Sequence, residues 1–143
     1  MRMKLNLPEN FFSPSYKIPV RITDINYGNH VGNDSLISII HEARMQFLQS
    51  HNYTELNIEG VGLIMADIAV EFKNETFYMD IIEVQIGCGD VTNVSFELFY
   101  KLAVSRDGQH IEIALCKTSM VCYDYGLKKV VGIPGNFKKI LLH

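Results

Sequence analysis

The chain has 143 residues, a mass of 16.3 kDa, a formal charge of −3 and a pI near 5.9, enough for one domain and without the basic field that nucleic acid would need. With 48% apolar and 20% charged residues it can bury roughly 68–70% of its unfolded surface, which excludes extended disorder. No apolar run approaches the ~18–20 residues of a membrane span, and residues 1–10 carry Arg2 and Lys4 with no apolar stretch behind them, which argues against a secretory signal and for a soluble, cytoplasmic protein.

Residues 1–15 read as irregular, because Pro8 and Pro14 interrupt any regular element. Residues 16–23 read as a strand in which Ile18, Val20 and Ile22 alternate with Lys17, Arg21 and Thr23, and Pro19 marks an edge or a strand start. Residues 24–35 form a polar loop that holds Gly28, Gly32, Asn26, Asn29 and Asn33 but lacks the glycine spacing of a phosphate-binding loop. The next segment, 35–50, is the one long helix, with Asn33 or Asp34 as its cap. At 100° per residue, Leu36, Ile37, Ile40, Ala43, Phe47 and Leu48 share an apolar arc, with Ser38, Glu42, Met45 and Gln49 opposite. Arg44 falls inside the apolar arc, so it must snorkel or meet an acid.

After a loop at 51–61 the pattern turns to strands, at 63–72, 80–87, 92–104 and 110–123. Arg106, Asp107, Gly108 and Gln109 give a hairpin signal, residues 124–126 mark a further turn, and 134–140 read as a short helix with Pro134 at its start. Cys88, Cys116 and Cys122 are odd in number, widely spaced and set in apolar runs, so they read as small core residues. The five histidines are scattered and no ligand spacing links them to carboxylates, so neither a metal nor any other cofactor is expected. One apolar helix and four consecutive antiparallel strands must cover each other, which predicts an α+β domain spanning residues 1–143 with its core at 16–140. A single such layer leaves a sheet face and an edge open, for which homo-oligomerisation is the usual remedy.

The segments Arg21 to Asn26, His30 to Asn33 and Glu42 to Arg44 carry a family pattern: an Asp-x-Asp-like pair at Asp24 and Asn26, a His-Val-Asn-Asn-like turn at His30, and Glu-Ala-Arg on the following helix. With this strand order and with Ile133 and Pro134 before a terminal helix, the chain resembles the hotdog-fold acyl-CoA thioesterases of the 4-hydroxybenzoyl-CoA thioesterase group. The resemblance implies a curved antiparallel sheet wrapped around one long helix, assembled as a homodimer or homotetramer. It also implies hydrolysis of an acyl-CoA or acyl-carrier-protein thioester, with CoA entering only as part of the substrate. The pattern departs from the family at Asn26, which stands where the group has its catalytic aspartate. An amide neither attacks a thioester nor takes a proton at neutral pH. Either another carboxylate supplies the chemistry, or the protein binds thioesters without hydrolysing them. A hotdog hydratase or dehydratase is a third possibility, although its usual loop motif is missing.

The candidate residues follow from that departure. Asn26 can hold a water or orient a carbonyl, facing one cleft with Gly32 and Asn33. Asp34 is either a helix cap or a base, and His30 either a general acid–base or a loop-stiffening group. Glu42 is either a solvated helix residue or the helix carboxylate that a second hotdog group uses. Asp24 reads as structural, pairing with Arg21 or Arg44. The resemblance makes the amides of Gly32, Asn33 and Asp34 an oxyanion site at the positive end of the helix. It also carries Asn93 and Ser95 over as neighbours of the pantetheine arm.

Overall fold

The computed structural model describes residues 2–9 and 12–143; residues 1, 10 and 11, part of the stretch expected to be irregular, lie outside the described residues. Its elements are β1 (Tyr16–Pro19), a 3-10 turn (Ile22–Asp24), α1 (Asn33–Ser50), β2 (Gly62–Phe72), β3 (Ile81–Val91), β4 (Ser95–Arg106), β5 (Gln109–Asp124), β6 (Lys129–Val130) and α2 (Gly135–Leu141). The strands pair antiparallel in the order β1-β3-β4-β5-β2, with β6 added to β5. This is the α+β hotdog architecture that the resemblance implies, a curved antiparallel sheet around one long helix.

The core lies between α1 and the sheet. Alternate residues of β4, from Phe96 through Leu98, Tyr100 and Leu102 to Val104, meet Leu36, Ile40, Ala43 and Leu48 of α1 in one buried cluster. The buried arc of the helix is rotated from the sequence expectation, since Ile39 is buried and Ile37 is 40% exposed. Arg44 is buried in that arc and finds its acid: Nε donates to Glu55 Oε2 at 2.8 Å and Nη1 to the Tyr100 hydroxyl at 3.3 Å. Burial pulls the guanidinium pKa down, but Tyr100 and Glu55 outweigh that pull and the net shift is upward. Cys116 and Cys122 are buried thiols, pushed by burial up to about 12 and about 11 respectively, so both are inert at neutral pH.

Two local expectations are corrected, and one short strand is added. The first strand stops at Pro19 instead of continuing to Thr23, because Pro19 offers no ladder donor and the Asp24 carboxylate takes the Arg21 N–H at 2.8 Å, coiling the chain into the 3-10 turn. Helix α1 begins at Asn33 with Gly32 as its N-cap and no capping side chain, so neither Asn33 nor Asp34 caps it. The two-residue β6 follows the turn read at 124–126, in a stretch given no element, being too short for a period to show. The hairpin at Asp107 and Gly108 has positive φ at both residues, 52° and 75°, the backbone that an Asp-Gly turn supplies.

The described residues of the N-terminal segment form no helix or strand, yet they are tied across the sheet. Arg2 Nη2 donates to the Phe72 carbonyl of β2 at 2.7 Å, and the Leu5 N–H donates to Glu71 at 2.9 Å. Further on, the Ser13 N–H donates to the Ile86 carbonyl of β3 at 2.8 Å. Phe12 lies under Lys101 and against Gly87, where a Cβ would stand 2.9 Å from its ring. Among the described residues no helix is long and apolar enough to cross a membrane.

Candidate active site

The loop before α1 is a small hairpin held by its own backbone. Asp24 is buried, its carboxylate held by Arg21 and its carbonyl accepting the Gly32 N–H at 3.1 Å. The Asn26 N–H donates to the His30 carbonyl at 2.9 Å, and Asn29 turns the chain at φ 65°. The Asn26 side chain is part of this scaffold, since Oδ1 accepts the Gly28 N–H at 2.9 Å in an Asx turn. That leaves Nδ2 as the free polar end of the amide. It lies 3.7 Å from where a Cβ on Gly32 would stand, and Asp34 Oδ1 lies 2.8 Å from the same point. Asn26, Gly32 and Asp34 therefore form one group around the helix start.

Helix α1 makes its first internal bond from the Leu36 N–H to the Gly32 carbonyl. The amides of Asn33, Asp34 and Ser35 precede that ladder, and no side chain caps them; the Gly32 amide, expected to be one of the donors, is instead taken by the Asp24 carbonyl. They form a preorganised donor set at the positive end of an 18-residue helix.

A cleft of about 570 Å³ opens beside this helix start. Its apolar walls are Val31, Leu36, Phe72, Phe77, Ile111 and Ile113, and its polar rim holds His30, Asn33, Lys73, Asn74, Glu75, Thr76 and Arg106. All lie at the end of the sheet where β2 and β4 finish and β3 and β5 begin. The β2–β3 connection that forms one wall is pinned at several points. The N–H groups of Lys73 and Asn74 donate to the Ile113 carbonyl, and Asn74 Nδ2 donates to the Glu112 carbonyl at 2.7 Å. The Val31 N–H donates to the Thr76 carbonyl at 2.9 Å, joining this wall to the loop before α1. Asp80 accepts from Thr76 Oγ1, the Phe77 N–H and Arg106 Nη2, the last at 2.7 Å. Within the cleft, His30 Nε2 stands 3.9 Å from Glu75 Oε1.

The residues singled out by sequence thus divide into four places. His30 and Asn33 line the main cleft, and Asn26, Gly32 and Asp34 cluster at the adjoining helix start. Glu42 lies about 12 Å further along α1 from Asp34, in a separate cleft of about 380 Å³ with Arg21, Asp24 and Gln46. Its carboxylate accepts from Gln46 Nε2 at 2.9 Å. Asn93 and Ser95 are at the β3–β4 turn, roughly 30 Å along β3 from the main cleft. There the Asn93 carbonyl accepts the Ile133 N–H, and Ser95 Oγ bonds Thr92 Oγ1 at 2.7 Å. Within one chain these two do not join the others. Sequence reasoning missed the wall formed by Phe72, Glu75, Phe77 and Arg106; its one legible signal is the acid–aromatic mixture between two strands.

A sequence profile of the thioesterase-like superfamily matches residues 20–141. No curated protein matches the chain significantly. Among solved structures, the chain is similar to a 1,4-dihydroxy-2-naphthoyl-CoA thioesterase from Synechocystis, with 18% identity, coverage of 90% of this chain and 95% of that one, and a TM-score of 0.79. It is also similar to a gentisyl-coenzyme A thioesterase, with 19% identity, 89% and 98% coverage, and a TM-score of 0.76. A third is a 4-hydroxybenzoyl-CoA thioesterase mutant complexed with 4-hydroxybenzoyl-CoA, with 12% identity, 89% and 96% coverage, and a TM-score of 0.78.

Proposed function

The chain belongs to the thioesterase-like superfamily, and from that premise we propose that it hydrolyses an acyl-CoA thioester to a carboxylate and free CoA in the cleft beside the start of α1. The observation that carries this reading is one cleft that holds an apolar wall, His30 and Asn33 and opens beside the uncapped N-terminal amides of α1. A thioester carbonyl at those amides would become an oxyanion facing donors already in place, while Leu36, Phe72, Phe77, Ile111 and Ile113 take the acyl group. The solved relatives named above act on aryl-CoA thioesters, and the two phenylalanines of the wall suit a flat acyl group. The substrate panel therefore includes aryl-CoA and straight-chain acyl-CoA esters, with an acyl-carrier-protein thioester beside them. Free thiol is followed with a chromogenic reagent. CoA release from at least one acyl-CoA supports the reading; a panel that yields none contradicts it.

Asn26 favours a second reading, a protein that binds thioesters without cleaving them, because an aspartate-to-asparagine mutant of one relative was captured with its substrate bound. Acyl-CoA binding by calorimetry with no thiol release would select it.

The assembly is at least a homodimer. Strand β2 is an edge of 11 residues, and Ile64, Met65 and Phe72 are exposed along it, with Phe77, Tyr78 and Met79 exposed just beyond. Such an edge invites pairing with another chain. Light scattering that gives a stable 16.3 kDa species at micromolar concentration would contradict it. The buried thiols Cys116 and Cys122 suit a reducing, cytoplasmic setting.

A further inference from the structure

The hydrolase reading leaves one role unfilled, because Asn26 cannot take a proton and Glu42 faces a different cleft. Asp34 does not fill it, since its carboxylate folds back toward Gly32 and is not part of the cleft wall. Resting on that reading, we propose that Glu75 is the general base for the hydrolytic water and that His30 holds that water in place.

The geometry of His30 carries the argument. Its Nδ1 lies 3.2 Å from the Val31 carbonyl oxygen, which can only accept, so Nδ1 is the protonated nitrogen. In the neutral ring the other nitrogen, Nε2, is then a bare acceptor, and it faces Glu75 Oε1, also an acceptor, at 3.9 Å. Two acceptors at that separation are complementary to a single water that donates one hydrogen to each at ~2.8 Å. A water so held keeps its lone pairs free of both groups, and both groups line the cleft. Glu75 can keep this position because its loop is pinned on both sides. Asn74 is fixed to β5, the Thr76 carbonyl to the Val31 N–H, and the Glu75 carbonyl itself accepts from Arg106 Nη2 at 3.4 Å. The Val31 bond also fixes the loop relative to the helix amides, which start two residues later.

The reaction balances with these groups alone. The water oxygen bonds to the thioester carbon as one water proton passes to Glu75, and the carbonyl electron pair moves onto the oxygen at the α1 amides. That pair returns as the carbon–sulfur bond breaks, the sulfur leaves with its electrons, and the Glu75 proton passes to the thiolate. A carboxylic acid, which ionises, and free CoA result, with Glu75 restored.

The test is kinetic, on the full chain with the best substrate of the panel. Glu75 has a side chain 64% exposed, so Glu75→Gln should keep its melting temperature and its acyl-CoA affinity while turnover falls roughly 100-fold or more. Glu75→Ala should regain part of the lost rate on addition of formate, which a merely structural role would not allow. Wild-type turnover retained in Glu75→Gln, or a 100-fold loss in Asp34→Asn alone, overturns the assignment and leaves the hydrolase reading standing. Wild-type protein that binds acyl-CoA but never releases CoA overturns both.

Discussion

Two carboxylates meet basic side chains from the α1 region, and the contrast between them separates structure from chemistry. Glu55 is mostly buried and fully engaged: one oxygen takes Arg44 Nε, the other takes His41 Nε2, and the Arg44 guanidinium continues to Tyr100 and Thr118. Glu75 is largely exposed in a cleft, and among the described residues its carboxylate meets only the open side of His30. A mostly buried carboxylate with both oxygens bonded to basic side chains is committed to holding them, and its loss strands a buried charge at a high cost. A half-exposed carboxylate opposite a second acceptor has capacity to spare, and its loss costs the fold little.

Glu55→Ala breaks the contrast on the structural side with the largest expected effect. It strands the Arg44 charge in the core, at a cost on the order of 3 kcal/mol, and should lower Tm by roughly 10 °C in a calorimetric scan. Turnover per folded molecule should be unchanged. Equal stability of the variant would show that Tyr100 alone satisfies Arg44.

The buried pair was half legible in the sequence. Arg44 stood out as a charge in an apolar arc that needed an acid, but its partner could not be named, because Glu55 belongs to a loop without periodicity and reaches α1 only through the turn after Ser50. Strands, helix and hairpin were legible because each has a period or a turn chemistry of its own. Pro19 was read as an edge or a strand start; β1 is an edge strand, but Pro19 ends it, and the 3-10 turn that follows depends on Asp24 bonding backward, which no pattern records. Gly32, Asn33, Asn26 and His30 were recognisable from one local motif. Glu75 was not, since only the pairing of β2 with β5 and the tie from Thr76 to Val31 bring its loop to His30. Asn93 and Ser95 were placed by resemblance alone, and within the chain the length of β3 separates them from the cleft.

Asp80→Asn sharpens the contrast at the loop that carries Glu75. Burial pushes the Asp80 carboxyl up, but Arg106, the Phe77 N–H and Thr76 outweigh it and hold its pKa below the ordinary aspartate range. A depressed folded pKa means that its stabilisation is complete above the unfolded value and is lost as pH falls through the folded one. The variant should lose about 1.5 kcal/mol near neutral pH and show a flatter acid limb in its stability curve, with turnover reduced several-fold as the loop loosens. An unchanged acid limb would remove Asp80 from the loop's support.

Smaller in effect is Asn26→Asp. Aspartate can accept the Gly28 N–H as Asn26 Oδ1 does, so the loop should keep its shape. The added charge beside the α1 amides should oppose the oxyanion, and kcat should fall about fivefold. A large gain would show instead that the native chain lacks a working base. Glu42→Gln should change least, by less than about 0.5 kcal/mol in stability and with turnover unaltered, since its cleft is separate from the reacting one.

The most direct measurement is a crystal structure with an inert acyl-CoA analogue in which a methylene replaces the thioester sulfur. The carbonyl oxygen should lie within hydrogen-bond distance of the amides of Asn33–Ser35, with its carbon facing the His30–Glu75 pair and the acyl group against Phe72 and Phe77. An acyl group lodged beside Glu42, or at the β3–β4 turn with Asn93 and Ser95, would contradict that placement.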